Sequence, residues 1–503
     1  MHRMKLQIIY KDYVRCQVIG LTPEDKGKAY DHFSVFVPTA RFTPKYKIGV
    51  WDGYNRYFSL TGLFYVNLLP ELFSILDMSK YEVEKVYRDD LEEDDYEFNN
   101  IDENFLSEYK WPKGHRLENQ NVILMPHQVD IVNSCLDNHR CIIEAATSAG
   151  KTLCALALAK IVTEYGRFVI VEPSKDLTMQ TAQVFRDLGF TDVGVCGCGL
   201  RELNKKVTVC TWQTINSLSK RGKSLDLDED KKQLSAEELK QLVDGTIGLL
   251  YDEVHTAKAH EVSKIMETIF KDVPIRWGLT GTVPKARADY YGVVTGLGPV
   301  VHHLESKELQ DKGILARCNV NVIRMKDDME FINYQDEIDY LSTNIDRLKF
   351  IGSLVHNITK SSGNSLVLVN RIKSGEILED YINSLGTNCI YIDGSVNSKT
   401  RFKEYESIKT ENNKCIIATS AIASTGLDIP RLFNLVLMDY GQSFTKTIQS
   451  IGRGLRLGKD KTSVNIFDIC STTPFSKKHL NTRIHYYYEK KFPIKVLDVH
   501  NWK

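Results

Sequence analysis

The stretch "EAATSAGKTLCALALAK", residues 144–160, decides the fold of this chain of 503 residues. It follows the apolar run "RCII", and its second half repeats apolar residues at helical spacing. A strand, a tight turn and a helix in this order direct backbone N–H groups and the positive end of a helix dipole towards phosphate. The pattern GxxxxGK[ST] expects glycine where this chain has Ala145, which fits if that position needs no positive φ. The stretch therefore predicts a phosphate-binding loop in an α/β domain.

The side chains of this loop suit a nucleoside triphosphate. Lys151 can reach the β- and γ-phosphates, and the hydroxyl of Thr152 suits Mg²⁺. Upstream, Gln128 can donate to and accept from an adenine edge, although a surface glutamine is the simpler interpretation of that position alone. We therefore expect ATP and Mg²⁺ as cofactors, against the alternative of a chance Gly-Lys-Thr at a helix start. The residues expected to line the phosphates are Thr147, Ser148, Ala149, Gly150, Lys151 and Thr152.

A second motif, "GLLYDEVH", is an apolar strand that ends in two adjacent carboxylates. Asp252 suits Mg²⁺, and Glu253 suits a general base that orients the attacking water. His255 follows, placed to sense the γ-phosphate and to pass that signal to the next strand. That strand ends in "LTGT", where the hydroxyls of Thr280 and Thr282 are expected to bond the carboxylates. The alternative, a solvated acidic strand end, is common for one carboxylate but does not explain this tetrapeptide after a phosphate loop.

The second half of the chain repeats the alternation of strands and helices without a phosphate loop. The segments "LVLVNRIKSG", "NCIYIDGSV", "KCIIATSAIASTGLDIP" and "LVLMDYG" predict a parallel sheet. The segment "QSIGRGLRLG" then places Gln449, Arg453 and Arg456 along one helix face. Two arginines at this spacing suit a phosphate clamp, although a solvated basic face is the alternative. If these arginines complete the γ-phosphate site only when two lobes close, ATP hydrolysis would open and close the cleft, and the protein would act as a motor.

In this order, the motifs "HQ", "ATSAGKT", "VEPSKDLTMQ", "VTVCTWQTI", "DEVH", "LTGT", "ATSAIASTGLDIP" and "QSIGRGLR" resemble those of superfamily 2 helicases, over about residues 120–470. The resemblance implies two RecA-like lobes, with Gly426 and Asp428 at the nucleotide and Arg453 and Arg456 on its phosphates. The sequence departs from the pattern at Ala145 and at Gln449, where many relatives have histidine. By the same resemblance, the residues facing a nucleic-acid strand are Pro173, Ser174, Lys175, Thr211, Gln213, Thr419 and Ser424.

The N-terminal stretch "RFTPKYKIGVWDGYNRYF", residues 41–58, interleaves basic and aromatic residues. Basic groups attract backbone phosphates, and exposed rings stack on bases. The alternative is that the rings form the core of a small β-domain. The residues predicted to contact nucleic acid are Arg41, Lys45, Lys47, Tyr54 and Arg56.

This stretch, ahead of a helicase core, is similar to the N-terminal domain of the bacteriophage UvsW helicases. The resemblance implies a DNA helicase of replication, recombination and repair that acts on branched DNA: Holliday junctions, stalled forks and R-loops. It also implies annealing of complementary strands. The expected partner is single-stranded and branched DNA, including RNA–DNA hybrids.

Charge and pattern divide the chain into five parts. Residues 1–80 hold eleven Lys or Arg against seven Asp or Glu, whereas residues 81–110 hold twelve acids against three bases. The expected parts are a small α+β nucleic-acid-binding domain (1–80), an acidic connector (81–114), a first lobe (115–305), a second lobe (306–475) and a tail packed on it (476–503). We expect a chain that starts near residue 112 to fold, because both α/β layers remain intact.

Composition narrows the other possibilities. The net charge is zero, so nucleic-acid binding must come from local patches. Eleven scattered cysteines and no apolar run near 18 residues suggest reduced thiols in the cytoplasm, that of a host cell for a phage protein. The alternatives are an RNA helicase or transcript-release ATPase, a restriction-nuclease motor, for which no metal-binding nuclease motif is evident, and a nucleotide-switched binding module.

Overall fold

The computed structural model describes most of the chain, and the two compact units within it, Met1–Leu304 and Glu305–Lys503, are treated separately. Within the described ranges, no helix combines the length and the apolarity that a bilayer span requires. The described residues are 3–503 except 89–90, 92–95, 114, 116, 147–148, 198, 217–234, 257–258, 306–307, 310–311, 313–316, 395, 397–403, 405–406, 409–410, 420–430, 440, 442–462, 490, 501 and 503.

The first unit contains a small N-terminal sheet and a large, mainly parallel one. Its strands are β1 (Met4–Tyr10), β2 (Arg15–Ile19), β3 (Ser34–Phe36), β4 (Tyr54–Arg56), β5 (Leu63–Tyr65), β6 (Tyr81–Tyr87), β7 (Arg140–Ala145), β8 (Arg167–Glu172), β9 (Val193–Gly197), β10 (Leu200–Arg201), β11 (Val207–Thr211), β12 (Thr246–Tyr251), β13 (Ile275–Thr280) and β14 (Val300–Leu304). Its helices are α1 (Pro23–His32), α2 (Pro44–Lys47), α3 (Leu69–Ile75), α4 (Pro126–Leu136), α5 (Lys151–Val162), α6 (Lys175–Asp187), α7 (Trp212–Asn216), α8 (Ala236–Val243), α9 (Ala259–Thr268) and α10 (Arg287–Leu297).

The large sheet of the first unit has the strand order β10-β9-β11-β8-β12-β13-β7-β14. All its pairings are parallel except that of β9 with β10. Strands β8, β11, β12 and β13 read as almost continuous apolar runs because helices cover both faces of a parallel sheet. The carboxyl ends of neighbouring parallel strands meet at one edge, which is where the predicted motifs follow β7, β12 and β13.

The second unit is another parallel α/β layer. Its strands are β15 (Arg317–Met325), β16 (Ser365–Val369), β17 (Cys389–Ile392), β18 (Cys415–Thr419), β19 (Asn434–Met438), β20 (Ser463–Ser471) and β21 (Ile494–Val499). Its described helices are α11 (Tyr334–Thr343), α12 (Ile345–Ser362), α13 (Ile372–Ser384) and α14 (Pro474–Glu489). The order is β17-β18-β16-β19-β20-β15-β21, and each described pairing is parallel. The chain thus has the two predicted RecA-like lobes, preceded in the sequence by a small α+β region.

The last residues of the chain are an integral part of the second sheet rather than a tail on its surface. Strand β21 pairs in parallel with β15, from Val320 opposite Ile494 to Met325 opposite Val499. Near the end, Trp502 is buried and its Nε1 donates to the carbonyl of Lys326 at 2.7 Å. A truncation in this segment would therefore remove an edge strand.

The N-terminal sheet runs past the boundary that charge predicted. Strand β6, within the predicted acidic connector, pairs in parallel with β1 over its whole length, and Lys5 forms an ion pair with Glu84 at 2.9 Å. The charges were misleading because they outnumber Val83 and Val86 in this strand, which lies at the sheet edge, where charged side chains are common. The connector therefore begins after residue 87.

The N-terminal sheet also shares its hydrophobic core with the first lobe. One cluster of buried residues joins Phe33 and Phe64 to Tyr291 and Val294 of α10. The hydroxyl of Tyr57 donates to the Ala288 carbonyl at 2.9 Å. A chain starting near residue 112 would expose this face to water, so the expectation that it folds is revised below.

Candidate nucleotide-binding and nucleic-acid-binding site

The phosphate loop begins where β7 ends. Ala145 is fully buried on that strand opposite Leu304, so the position is extended and alanine is compatible with it. Gly150, by contrast, has φ 82°, and a Cβ there would lie 2.0 Å from Nε2 of Gln128. The second glycine of the pattern is therefore required by both backbone conformation and space. Thr147 and Ser148 lie outside the described residues.

Two side chains at the start of α4 contact a backbone carbonyl of the loop. Nε2 of Gln128 donates to the Ala149 carbonyl at 3.3 Å, and its Oε1 accepts from Met125 N at 2.9 Å. Nε2 of His127 lies 2.9 Å from the same Ala149 carbonyl. Both side chains are buried, so they hold the loop in place, and the predicted contact of Gln128 with adenine remains a prediction. Sequence reasoning missed His127, which only its position before Gln128 could have suggested.

Lys151 and Glu253 meet at the edge of the sheet. Lys151 is the first residue of α5, and its Nζ lies 2.7 Å from Oε1 of Glu253. Their side chains are 7% and 13% exposed, so little water screens the pair. The two motifs, about 100 residues apart in the sequence, thus converge on one space.

The strand end that carries the carboxylates has an unusual backbone. Glu253 has φ 47°, a left-handed conformation that non-glycine residues adopt rarely and mostly at functional sites. Asp252 stabilises the turn because its Oδ1 accepts from Glu253 N at 2.9 Å, while its own N–H donates to Val171 on β8. Asp252 offers carboxylate oxygens, and Thr152, in the first turn of α5, offers a hydroxyl oxygen. Oxygen ligands of these kinds suit Mg²⁺.

His255 connects the carboxylates to β13. Its Nδ1 lies 3.4 Å from Oε2 of Glu253 and 2.9 Å from Oγ1 of Thr280. The hydroxyl of Thr280 donates to the carbonyl of Thr282 at 2.7 Å. The hydroxyl of Thr280 therefore contacts the imidazole rather than the carboxylates, which corrects the predicted direct bond and leaves His255 as the link between strands.

The predicted strand-facing residues of the first lobe follow β8 and β11, which are neighbours in the sheet. Nε2 of the exposed Gln213 donates to the Pro173 carbonyl at 3.1 Å, so the two motifs are in contact. Lys175 is exposed at the start of α6, and Ser174 caps that helix by accepting from its backbone. These residues form one polar edge.

Thr211 differs from this set. It is buried, and its hydroxyl lies 2.7 Å from that of Thr214. Its side chain therefore supports the edge instead of facing a ligand, because Thr211 is the last residue of the fully buried strand β11.

The N-terminal stretch contains both core and surface residues. Tyr57 and Phe58 belong to the core, as the alternative interpretation expected. Arg56 is exposed but engaged, since its guanidinium pairs with Asp52 and lies 5.7 Å from the ring centroid of Tyr54. The predicted nucleic-acid residues Arg41, Lys45, Lys47 and Tyr54 are also exposed.

In the second unit, the structure describes only some of the residues predicted to contact nucleotide or nucleic acid. Thr419, the last residue of β18, is half-buried at the carboxyl edge of its sheet. The predicted residues that lie outside the described part of the chain are Ser424, Gly426, Asp428, Gln449, Arg453 and Arg456.

Comparison with known proteins defines the class. The family described as "Type III restriction enzyme, res subunit" matches residues 121–285, and the "Helicase conserved C-terminal domain" matches residues 346–458. The DNA-bound structure of the Type ISP restriction-modification enzyme LlaBIII has the same fold, with a TM-score of 0.57 at 14% identity over 87% of this chain and 36% of that chain. With the nucleotide loop and carboxylates described above, this chain is an ATP-dependent helicase of superfamily 2.

Within that superfamily, the chain resembles the ATP-dependent DNA helicase uvsW of Enterobacteria phage T4. The two are 25% identical over 487 residues, which cover 91% of this chain and 89% of the relative. Similarity to RNA helicases is also present: the rRNA helicase RRP3 of Yarrowia lipolytica is 24% identical over 67% of this chain and 66% of its own length.

Proposed function

We propose that this protein is a DNA helicase that hydrolyses ATP to move on DNA and to remodel branched molecules. The carrying observation is the similarity to the T4 DNA helicase over 91% of the chain, which extends beyond the lobes that helicases of many kinds share. The proposed substrates are forks, four-way junctions and R-loops, and the proposed setting is replication, recombination and repair of phage DNA in the host cytoplasm. Annealing of complementary strands is a proposed companion activity.

In this proposal the first lobe supplies the hydrolytic groups. Lys151 would bind the terminal phosphates, and the carboxylate of Glu253 would orient water and accept its proton; the contact between the two side chains supports a shared site. Thr152 and Asp252 would hold Mg²⁺, which neutralises charge on the phosphates. Because Lys151 and Glu253 contact each other, a bound phosphate must compete with Glu253 for the lysine, which frees the carboxylate for water.

The second lobe would complete the site. Gln449, Arg453 and Arg456 are proposed to act on the phosphates, and Gly426 and Asp428 on the nucleotide, from the motif series alone. Replacing Arg456 with Ala should lower ATP turnover by about 10³ and leave DNA binding largely intact. Lost DNA binding with preserved basal turnover would instead assign Arg456 to the DNA path.

The nucleic-acid path would follow the polar edge of the first lobe. Hydroxyls, amides and backbone groups at Ser174, Lys175 and Gln213 suit phosphate contacts that carry no sequence preference. In the second lobe, Thr419 and Ser424 are the proposed counterparts. The exposed bases of the N-terminal stretch would add contacts to duplex arms.

The test is an unwinding assay on forks, four-way junctions, R-loops and plain duplexes, with and without ATP. Branched DNA should be unwound faster than plain duplex of equal length. The second candidate, an RNA helicase, is favoured by the similarity to RRP3. ATPase stimulation by single-stranded DNA and by RNA of the same length separates the two, and stronger stimulation by RNA would overturn the DNA assignment.

A further inference from the structure

The loop between β3 and β4 displays three large apolar side chains in solvent. Phe42 is 80% exposed, Ile48 is 72% exposed and Val50 is 74% exposed. Scattered exposed apolar residues are normal, but these three stand within nine residues of one loop, and we refer to them together as the patch. A concentration of exposed apolar residues in a stable protein commonly marks an interaction surface, and the chemistry around it indicates the partner.

The surroundings of this patch are cationic. Residues 41–51 contain Arg41, Lys45 and Lys47 and no Asp or Glu, although the whole chain has no net charge. All three cations are exposed. A surface that combines apolar tips with cations complements nucleic acid, in which stacked bases lie between rows of phosphates. A site for an apolar protein helix would not need the cations.

The loop is built to hold these side chains out rather than to fold over them. Thr43 caps α2, and both Val50 N and Trp51 N donate to the Lys45 carbonyl, at 3.0 and 3.2 Å. Nε1 of Trp51 donates to the Tyr54 carbonyl at 2.9 Å. Gly53 has φ 86°, and a Cβ there would lie 2.6 Å from the ring of Phe36. The base of the loop is thus closely packed, while the side chains at its tip are exposed to solvent.

The loop is also joined to the motor lobe. The strand β4 that ends it leads to Tyr57, whose hydroxyl donates to Ala288 of α10 and whose ring lies 5.1 Å from that of Tyr291. Helix α10 follows the "LTGT" strand end at the nucleotide site. Any displacement of the first lobe along DNA would therefore carry the loop with it.

We propose that Phe42, Ile48 and Val50 form an apolar wedge that inserts at the last base step of a duplex and unstacks it where the strands separate. Arg41, Lys45 and Lys47 hold phosphates of the parting strands. This inference rests on the proposed DNA helicase function and adds to it the element that opens the branch point. Apolar side chains inserted at base steps are an established way for proteins to unstack DNA.

The test compares two variants of the full chain. In the first, Phe42, Ile48 and Val50 are all changed to Ser; their exposure means that no core is lost. In the matched control, Leu60→Ser replaces a side chain that is 60% exposed in another turn of the same domain. The wedge variant should unwind four-way junctions at least about tenfold more slowly, the scale of one lost base-stacking contact. Its ATPase, stimulated by single-stranded DNA, should stay within about twofold of the parent, because the motor residues are untouched.

A fluorescent base analogue, 2-aminopurine, reports the contact directly. Placed in the last base pair of a fork arm, it should brighten when the parent protein or the Leu60→Ser control binds, and stay dim with the wedge variant. Placed mid-duplex, it should respond to none of them. Unwinding and fluorescence equal to the parent would overturn the wedge. Loss of self-association in the wedge variant with normal unwinding would also overturn it, by assigning the patch to protein contacts.

The same assays separate failure of the wedge from failure of the proposed function. If the parent protein is not stimulated by DNA and unwinds no branch, the DNA helicase proposal fails and the wedge with it. If the parent unwinds junctions and the wedge variant does so equally well, only the wedge fails. The double change Lys45→Ala and Lys47→Ala should lower the salt dependence of junction binding by about two phosphate contacts.

Discussion

The two lobes use the same turn at corresponding strand ends for different purposes. After β12 in the first lobe, Glu253 has φ 47°; after β19 in the second, Asp439 has φ 46°. Each is an acidic residue in the left-handed region that follows an apolar parallel strand. In each, the carboxylate pairs with a cation from another element of its own lobe.

The two carboxylates differ in the cations that they pair with. Glu253 pairs with Lys151, the residue that follows the loop proposed to bind phosphate. Asp439 pairs with Arg347 of α12 through both oxygens, at 2.7 and 2.8 Å, and Arg347 is fully buried and also donates to the Leu341 carbonyl. Burial raises the pKa of the Asp439 carboxyl, and the adjacent guanidinium opposes that shift. The first pair joins a strand end to the proposed phosphate loop, whereas the second fixes a helix to a sheet.

The largest expected effect concerns which lobe is self-contained. A fragment of residues 305–503 should fold, because its cores lie within the second unit. A fragment of residues 112–503 should aggregate, because it exposes the shared core on α10 and removes the Tyr13 carbonyl that accepts from Arg276 at 2.7 Å. Circular dichroism and size-exclusion chromatography of both fragments check this. A monomeric, cooperatively melting 112–503 fragment would restore the original expectation of a separable N-terminal domain.

Next in size is the buried pair of the second lobe. Arg347→Ala should lower the free energy of unfolding of that lobe by about 3–5 kcal/mol, because it leaves Asp439 buried without its cation. This corresponds to roughly 10 °C in the melting temperature of the isolated 305–503 fragment. The double variant Arg347→Met, Asp439→Leu should recover most of the loss, since it removes both charges. A single variant as stable as the parent would mean that the pair is not structural.

The equivalent change in the first lobe should affect chemistry rather than stability. Glu253→Gln should bind ATP but turn over at least about a hundredfold more slowly, because the amide cannot accept the proton of the attacking water. Lys151→Ala should reduce nucleotide affinity and turnover together. The measurements are ATP turnover, nucleotide binding and melting temperature. An active Glu253→Gln protein would contradict its role as the base, and a large drop in its melting temperature would make the two turns alike.

The two turns also differ in how far the sequence predicts their side-chain partners. The nucleotide site depends on contiguous residues at the ends of apolar strands, so the pattern around Lys151, Asp252 and Glu253 was enough to predict where they lie. Arg347 and Asp439 are no farther apart in the sequence, but Arg347 stands in no motif and Asp439 only ends a segment that predicts a strand. No local pattern could have predicted it.

Other misses have similar physical causes. Strand β6 is hard to predict because Val83 and Val86, three residues apart among charged residues, do not show the alternation of a half-buried strand. The aromatic stretch was correctly judged to have two possible roles, since composition cannot tell that Phe42 faces solvent while Phe58 is buried. Phe58 is buried because its ring lies 5.3 Å from that of Phe64 on β5, a tertiary contact that composition does not show.

The smallest expected effect tests the link between the carboxylates and β13. Thr280→Val keeps the shape of the side chain but removes the hydroxyl that meets Nδ1 of His255 at 2.9 Å. The same hydroxyl donates to the Thr282 carbonyl. Loss of the bond to His255, about 1 kcal/mol, should lower DNA-stimulated ATP turnover about fivefold, while basal turnover changes little. Thr295→Val is the matched control, because the Thr295 hydroxyl is buried on α10 with no hydrogen-bond partner among the described residues. If both variants lose stimulation equally, the effect is one of packing, and His255 does not connect the turn at Glu253 to the rest of the motor.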